Sequence, residues 1–298
     1  MKNLNDILIQ AQKGEIKKTL VVAAAHDDIV IKAISESVNL GIINAVLIGD
    51  SEKIMNICND QGIKLQNINI IDQCDNKMCA KMAVQLVNEG KADYIMKGML
   101  STSDILKEVV NKEYGLRKEK LLSHVMIYSL KTYDKLLFLT DGGMILSPTL
   151  EEKVEIINNA VSLTNKLGIK NPKVAVIAAV ELVNKNMVDT LDGAYLTIMN
   201  KRNQIKDCII DGPLALDTAI NLTAAKHKKL ESNVAGDSDI LLVPNIVVGN
   251  SLGKSLSYFS EAENAGIILG AECPIVLVSR ADSEKSKIYS IALGSILC

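Results

Sequence analysis

Short runs of β-branched and other apolar residues alternate along the chain with longer stretches in which apolar residues recur every three or four positions. Runs of the first kind are typical of buried strands, and the second spacing is typical of helices that pack on a sheet. The pattern predicts an α/β fold made of βα units with mainly parallel sheets. The predicted strands span residues 19–26, 45–50, 68–72, 92–98, 121–129, 135–141, 173–180, 208–213, 239–244 and 274–279. The predicted helices span residues 28–42, 51–62, 78–90, 154–168, 187–201, 214–229, 254–266 and 284–297.

One helix start can be read from side-chain chemistry. Thr149 is followed three residues later by Glu152, which is the spacing of a capping box. The apolar residues that follow have helical spacing as far as Gly168, a residue type common just after a helix end. The sequence therefore predicts a capped helix between these points.

Length and hydropathy set the class of protein. A chain of 298 residues is long enough for two domains of ordinary size. The mean hydropathy is +0.19, yet the longest apolar runs have the length of strands and are too short for a membrane span. Residues 1–18 have amphipathic helical spacing and no signal-peptide pattern, so we expect a cytoplasmic protein.

Charge and cysteine usage disfavour several functions. The net charge is −2 and the pI is about 6.0, which argues against a nucleic-acid-binding surface. Six cysteines are scattered without paired spacing or companion histidines, so we expect neither a disulfide framework nor a zinc site. Only three residues are arginine, namely Arg117, Arg202 and Arg280, and a site that needs a guanidinium must use one of them.

The familiar nucleotide-binding and hydrolase motifs are missing. The sequence has no GxxxxGK[ST] and no GxGxxG after the first predicted strand, which disfavours P-loop and ordinary dinucleotide folds. It also has no GxSxG and no HExxH. The chemistry must be sought in the loops that follow the strands, where parallel sheets bind their ligands. Six such loops carry polar or glycine residues, at 23–28, 97–104, 139–148, 209–217, 243–254 and 277–283.

The loop at 97–104 ends in hydroxyl residues at a predicted helix start. Ser101 and Thr102 offer hydroxyl and backbone N–H groups there, and such a terminus attracts anions. Lys107 lies about one turn further along the helix. These three residues are candidates for binding phosphate, although Ser101 equally suits an ordinary helix cap and Lys107 a solvated surface.

Two further loops are candidates for binding a substrate. Asp211 ends an apolar strand, Gly212 leaves the backbone accessible, and Pro213 suits the first turn of a following helix. A helix cap is the favoured alternative for Asp211, and Asp141 lies in a similar position. In the loop at 243–254 the candidates are Gly249, Asn250 and Lys254, just before a predicted helix, and an ordinary capped loop explains them equally well.

Cys273 and His124 are weaker candidates. Cys273 precedes a strand and has no base near it in sequence, so a core thiol is favoured over a nucleophile. His124 lies in an apolar stretch, where a hydrogen-bonded interior histidine is the more common case.

The loop at 277–283, LVSRADS, is the most distinctive. An arginine at the end of an apolar strand must have its guanidinium paired or directed into a cleft. Ser279, Arg280 and Asp282 are therefore the candidate catalytic residues, and a structural ion pair between Arg280 and Asp282 is the alternative.

Taken together and in this order, these segments resemble the phosphate acetyl/butyryltransferase family, and its butanoyl-transferring members in particular. The likeness extends over nearly the whole chain. It is strongest at residues 97–110, 115–125, 173–184, 208–220, 224–228, 234–250, 265–283 and 290–293.

The resemblance implies a fold similar to the isocitrate and isopropylmalate dehydrogenases, with two α/β domains and a cleft between them. The first domain would comprise 1–119 plus 274–298 and the second 120–273. It further implies a homo-oligomer built on dimers. The implied reaction is butanoyl-CoA plus phosphate giving butanoyl phosphate plus CoA, reversibly, with coenzyme A as a substrate and with no metal or redox cofactor.

Alternative functions are acetyl transfer by the same reaction and a non-catalytic acyl-CoA-binding regulator. An NAD-dependent, metal-requiring dehydrogenase of the same architecture is a further alternative, and it would need clustered aspartates that the sequence does not have.

The resemblance also implies roles for individual residues. In the acetyl-transferring members a Ser-Arg pair, which matches Ser279 and Arg280, lies at the thioester, and an STxxxLR motif binds phosphate. The second motif reads STSDILK here, so Lys107 replaces an arginine. The thiol base of those members matches Ser286, which leaves Asp282 as the substitute that we predict, with Glu284 near it.

Overall fold

The computed structural model describes residues 1–117, 120–279 and 282–298. In the described chain the strands are β1 (Lys18–Ala23), β2 (Ile43–Gly49), β3 (Ile68–Asp72), β4 (Tyr94–Lys97), β5 (Ser123–Ser129), β6 (Leu137–Thr140), β7 (Lys173–Ile177), β8 (Ile209–Leu214), β9 (Ile240–Leu242), β10 (Glu263–Leu269) and β11 (Ile275–Val276). The helices are α1 (Leu4–Gln12), α2 (Asp28–Asn39), α3 (Ser51–Asp60), α4 (Asn76–Asn88), α5 (Thr102–Val109), α6 (Leu150–Lys166), α7 (Val188–Lys201), α8 (Leu216–Ile220), α9 (Leu222–His227), α10 (Ile246–Phe259) and α11 (Glu284–Leu297).

The chain divides into two compact units. The first comprises residues 4–120 and 265–298, and the second comprises residues 1–3 and 121–264. The domain division at 119/120 and 273/274 stays a prediction.

In the first unit the strands lie in the order β3-β2-β1-β4-β11-β10. All neighbours are parallel except β10 and β11, which pair antiparallel at Ile267 and Val276. The central strand β1 is apolar and buried from Leu20 to Ala23, and α11 packs against α1 and α2. The carboxyl ends of β1, β4 and β11 therefore come together at one edge, because these strands are parallel.

In the second unit the order is β5-β6-β9-β7-β8, with β5 and β6 antiparallel and the other neighbours parallel. Buried apolar side chains from β6, β7 and β9, such as Leu139, Ala175 and Leu241, form its core together with Tyr128. The α/β class and the mainly parallel sheet predicted from the sequence are thus confirmed.

Most predicted elements are present, and the capping box at Thr149 forms as predicted. The Thr149 side chain accepts from the Glu152 backbone at 3.2 Å, and the Glu152 carboxylate accepts from the Thr149 backbone at 2.8 Å. The predicted helix 214–229 is two helices, because the Asn221 side chain caps a new helix by accepting from the Ala224 N–H. The helix predicted at 254–266 is present with different bounds, because α10 begins eight residues earlier and ends at Phe259, and 263–269 form the strand β10.

Among the described residues, no helix combines the length and apolar character needed to cross a membrane.

A buried ion pair joins two helices of the second unit. Lys153 on α6 donates from its ammonium to the Asp192 carboxylate on α7 at 2.5 Å, and the two side chains are only 4% and 11% exposed. Burying an ammonium group is costly unless an anion or several acceptors compensate for the lost water. The ion pair therefore holds α6 against α7, because burying either charge without its partner would destabilise the fold.

We expect Lys153→Met to lower the free energy of unfolding by roughly 3–5 kcal/mol, because it leaves the Asp192 carboxylate buried and unpaired. Urea denaturation followed by circular dichroism measures this. The double variant Lys153→Met, Asp192→Leu should recover most of the loss, and Lys166→Met, an exposed change on the same helix, is the matched control. Equal stability of the Lys153→Met and Lys166→Met variants would contradict the expectation.

Candidate active site

The loop that follows β11 is held by its own hydrogen bonds. The Ser279 backbone N–H donates to the Asp282 carboxylate at 2.7 Å, and the Asp282 N–H donates to the Ser279 carbonyl at 3.1 Å. Ser283 then caps α11 by accepting from the Ser286 N–H at 3.1 Å. Ser279 is exposed, and Arg280, the central residue of the sequence prediction, lies outside the described residues together with Ala281. The Asp282 carboxylate therefore fixes the backbone at Ser279.

Lys287 supports the same loop from α11. Its side chain is buried, with 2% exposure, and its ammonium group donates to the Asp282 carbonyl at 2.7 Å. Burial lowers the pKa of Lys287, and the nearby carboxylates of Asp282, Asp27 and Asp28 oppose that shift. Sequence reasoning missed this residue. The available signal was a lysine in the first turn of the last helix, followed mostly by apolar or small residues.

The loop after β4 is fixed just as firmly. Lys97 is 7% exposed, and its ammonium group donates to the carbonyls of Gly98 at 3.2 Å and Leu100 at 3.1 Å. Gly98 lies against the end of β1, where a Cβ atom would come within 2.2 Å of the Ala24 carbonyl oxygen. Only glycine permits this approach, so the loop that leads to Ser101 keeps a defined course.

These two loops face each other across a narrow cleft within the first unit. The cleft is lined by Asp27, Val30, Lys97, Gly98, Met99, Val278, Ser279 and Lys287, and its free volume is about 10 Å³, room for a single water molecule. The structure therefore brings Ser279 beside two buried lysines, Lys287 on the helix that follows it and Lys97, which is remote from it in sequence. Asp27 caps α2 by accepting from the Val30 N–H at 2.8 Å, so its carboxylate is engaged by the backbone.

Ser101, Thr102 and Lys107 lie on α5 of the same unit. Ser101 is the helix cap, because its hydroxyl accepts from the Asp104 N–H at 3.1 Å and bonds the Asp104 carboxylate at 2.7 Å. Thr102 begins the helix, and Lys107 is exposed in its last turn. Their part in binding phosphate stays a prediction.

Asp211, Gly212 and Pro213 lie inside β8 of the second unit, not before a helix. The expectation that Pro213 opens the next helix is wrong, because β8 continues to Leu214 and α8 begins at Leu216. The Asp211 carboxylate accepts from the Gly212 N–H at 3.0 Å. A Cβ atom added to Gly193 would lie 2.8 Å from the Pro213 backbone nitrogen. This segment therefore has a packing role between α7 and β8.

Gly249, Asn250 and Lys254 lie within α10 and not in a loop before it. Asn245 caps that helix by accepting from the Val248 N–H at 3.0 Å, so the helix begins before these residues. Gly249 packs closely on Gly142, since a Cβ atom added to Gly249 would lie 2.6 Å from the Gly142 Cα. Asn250 donates to the Gly142 carbonyl at 3.4 Å, and Lys254 is exposed.

Asp141 and His124 belong to the packing at the end of β6. The buried Asp141 carboxylate accepts from the N–H groups of His124, Gly143 and Met144 at 2.8–2.9 Å. These three bonds hold the turn after β6 in place. In the part of the chain that the structure describes, no group of three or more His, Cys, Asp or Glu residues is arranged to hold a metal ion.

Cys273 is a core residue. It is 5% exposed, and burial raises the pKa of its thiol to about 12, far above the neutral range. A thiol in this state is almost entirely protonated at pH 7 and is a poor nucleophile. Cys58, Cys79 and Cys208 are also buried, whereas Cys74 and Cys298 are exposed.

We expect an aromatic disulfide reagent such as DTNB to label only Cys74 and Cys298 rapidly in the native protein at pH 8, because the other thiols are buried. Labelling in guanidinium should reach all six cysteines, and the native sites can be identified by mass spectrometry. Fast native labelling of Cys273 would overturn its assignment to the core, with Cys74→Ser as the control that removes one rapid site.

The sequence and the structure are both similar to those of known acyltransferases. The chain is 44% identical over 297 residues to the phosphate butyryltransferase of Clostridium acetobutylicum, covering 100% of this chain and 98% of that protein. It is 42% identical to the phosphate acetyltransferase of Thermotoga maritima, covering 97% and 98%. Among solved structures, the branched-chain phosphotransacylase from Enterococcus faecalis V583 matches with a TM-score of 0.83 and 30% identity, covering 94% of this chain and 98% of that one.

The sequence profile of the phosphate acetyl/butaryl transferases matches residues 3–85 and 76–295 of this chain, which together span almost its whole length. The full-length relatives agree with that match. The chain therefore belongs to the phosphate acetyl/butaryl transferase family.

Proposed function

We propose that the protein transfers a short-chain acyl group, butanoyl by preference, between coenzyme A and inorganic phosphate. The observation that carries this proposal is the identity of 44% with a phosphate butyryltransferase over the full length of both chains. The cleft beside Ser279 supports it, since a reaction with an anionic nucleophile and an anionic leaving group suits a site with buried cations.

The chemistry defines what the site must supply. A phosphate oxygen attacks the thioester carbonyl, the new C–O bond forms as the carbonyl becomes an oxyanion, and collapse breaks the C–S bond and releases the thiolate of coenzyme A. The hydrogen phosphate gives up its proton as it attacks, and the thiolate takes up one proton, so that acyl phosphate and free thiol are formed. The reverse reaction starts from the thiol, which is mostly protonated at neutral pH because its pKa is about 8.5. The site therefore needs donors for the oxyanion, cations for phosphate and thiolate, and a proton acceptor.

Ser279 and Arg280 are the residues that we assign to the thioester end. The Ser279 hydroxyl is exposed at a loop whose backbone is fixed by Asp282, so it is preorganised to donate to the oxyanion. We propose that the Arg280 guanidinium stabilises the thiolate. In this scheme phosphate attacks directly in a ternary complex, without an acyl-enzyme, which agrees with the unreactive state of the Cys273 thiol.

We assign phosphate binding first to Ser101, Thr102 and Lys107. Their support is the exposed N-terminus of α5 and its hydroxyl groups, although the Asp104 carboxylate already bonds Ser101. For coenzyme A we retain Asp211, Asn250 and Lys254 as candidates. Gly212, Pro213 and Gly249 remain candidates as well, and they also pack against neighbouring elements.

Several further proposals follow from family membership. We infer a homo-oligomer built on dimers, a cytoplasmic location, and a fold of the isocitrate and isopropylmalate dehydrogenase kind divided at 1–119 plus 274–298 and 120–273. We also infer that coenzyme A acts as a substrate and that the reaction needs no separate cofactor. Acetyl transfer is the second candidate function, favoured by the identity of 42% with a phosphate acetyltransferase.

A panel of acyl-CoA substrates from two to six carbons, assayed with phosphate, tests the function. We expect phosphate-dependent release of free thiol with the highest kcat/KM for butanoyl-CoA, and at least about tenfold less for acetyl-CoA, because two extra methylene groups contribute about 1.6 kcal/mol when buried. A maximum at acetyl-CoA would support the second candidate. Absence of phosphate-dependent turnover with the whole panel would refute both, and Arg280→Ala serves as the low-activity control.

The Asp282→Asn variant distinguishes the role of Asp282 in supporting the Ser279 backbone from its predicted role as thiol base. The Asn amide oxygen can still accept from the Ser279 N–H, whereas it cannot take a proton from a thiol. We expect the variant to keep its rate within about fivefold of the parent, and Asp282→Ala to lose at least about tenfold, because alanine leaves the loop unsupported. A loss of more than about a hundredfold in Asp282→Asn, measured in the direction that starts from the free thiol, would instead support the prediction that Asp282 is the thiol base.

A further inference from the structure

Helix α7 in the second unit has apolar residues on two opposite sides. Its inner side, which includes the buried Leu196 and Thr197, packs on β7 and β8. On its outer side, Val188, Tyr195 and Ile198 are 65%, 54% and 54% exposed. A helix at a protein surface ordinarily turns charged and polar side chains to water. The outer side of α7 therefore has the character of a side that another element covers.

The outer apolar residues form one stripe along the helix. Val188, Leu191, Tyr195 and Ile198 are separated by three, four and three positions, which is the spacing of the apolar seam between two paired helices. We call these four residues the outer stripe. The stripe contains no charged residue, and Leu191 is half-buried whereas the other three are exposed. Such a stripe suits packing against a second apolar helix.

The loop before α7 extends the apolar surface and is itself held in place. Leu182 and Val183 are 80% and 58% exposed. Next to them, the Glu181 carboxylate accepts from the Lys228 ammonium at 2.8 Å and from the Thr218 hydroxyl at 3.0 Å. These bonds fix the backbone from which both apolar side chains project. A preformed apolar surface of this kind is typical of a protein–protein contact.

The charges at the two ends of α7 indicate the partner. Asp189 lies in the first turn, Lys201 in the last, and Arg202 is the C-cap. In the described part of the chain none of the three forms an ion pair within 4.0 Å. Asp189 and Lys201 lie six residues before and six residues after Tyr195. A two-fold axis at Tyr195 would therefore set each acidic end beside the basic end of a second α7, whereas a parallel pair would set like charges together.

We propose that two copies of this chain pair through the outer stripe of α7, antiparallel about a two-fold axis near Tyr195, with Leu182 and Val183 at the margin of the contact. The inference goes beyond a homo-oligomer inferred from family membership, because it names the surface and the orientation. It is also independent of the proposed reaction, since it rests on residues of the second unit to which that reaction assigns no role.

Ile198→Asp tests the surface, and sedimentation velocity of the full chain measures the result. We expect the parent to be a dimer or a larger oligomer built on it, and the dissociation constant of the pair to rise at least about a hundredfold in the variant, because the two-fold axis brings the new carboxylate into the apolar contact twice. Ile9→Asp is the matched control. Ile9 is 50% exposed on α1, so the same change there should leave association as in the parent.

Cross-linking tests the orientation. In a background with Cys74→Ser and Cys298→Ser, which removes the exposed thiols, Tyr195→Cys should form a covalent dimer on mild oxidation. Val188→Cys in the same background should not, because antiparallel pairing about Tyr195 separates its two copies by roughly 20 Å along the helix axes. Non-reducing gel electrophoresis measures both.

Each other outcome would overturn the inference. Undiminished association of Ile198→Asp, or equal dissociation of Ile9→Asp, would show that α7 is not the contact, while a homo-oligomer through another face would stand. Linking at Val188→Cys and not at Tyr195→Cys would refute the antiparallel orientation. A monomeric parent would refute pairing altogether, and its turnover of acyl-CoA would still decide the proposed function separately. If Ile198→Asp is not folded by circular dichroism, the cross-linking of Tyr195→Cys decides.

Discussion

The hydrogen bond from the Lys287 ammonium to the Asp282 carbonyl ties the last helix of the chain to the loop of the candidate site. From there the contacts continue, because the Asp282 carboxylate accepts from the Ser279 N–H. Each of these groups gives up water only because the next one replaces it. The result is that the backbone at Ser279 and at Asp282 is fixed by hydrogen bonds, although Ser279 is exposed. Such preorganisation is what an oxyanion donor needs, since no rearrangement is then required when the charge develops.

Close contact between backbones is the second recurring constraint. Gly98 against Ala24, Gly142 against Gly249, and Gly193 against Pro213 all exclude a Cβ atom. At each of these places an end of one element is pressed against another, which fixes the course of a loop or a helix. Glycines in such loops look like ligand-binding features in the sequence, and in the structure several of them have a packing role. A polar residue beside a glycine is therefore weaker evidence for a ligand than an exposed polar residue on a fixed loop.

The elements could be predicted from the sequence wherever local chemistry and apolar spacing agreed. The capping box at Thr149 is an interaction between residues three apart, so the sequence contains all of it. The strand β10 could not be found in the same way, because its partner β11 and its burial are set by tertiary contacts. The helix breaks at Asn221 because its side chain accepts a hydrogen bond from the backbone and caps a new helix. The spacing of apolar residues is the same with or without that hydrogen bond, so it does not predict the break.

The candidate site could be predicted from the sequence to a similar extent. Ser279, Arg280 and Asp282 stood out as polar residues at the end of an apolar strand, but the bond from Ser279 to Asp282 is a matter of loop conformation that spacing does not determine. Lys97 and Lys287 were missed because burial of a lysine is decided by what packs around it. The structure supplies that information, because Lys97 and Lys287 line one cleft although they are far apart in the sequence. A contact of similar span lies beside it, where the Tyr94 hydroxyl donates to the Ile291 carbonyl at 2.9 Å across 197 residues.

That long separation has a kinetic consequence. Contacts between residues far apart in sequence form slowly, because the entropy of closing a large loop is lost before the contact is gained. Helices and the neighbouring strands β1 and β2 need only short loops to form. The cleft, which draws Asp27, Lys97 and Ser279 together, can be complete only after α11 has docked on the sheet. The cleft beside Ser279 is thus a feature that the chain completes among the last steps of its folding.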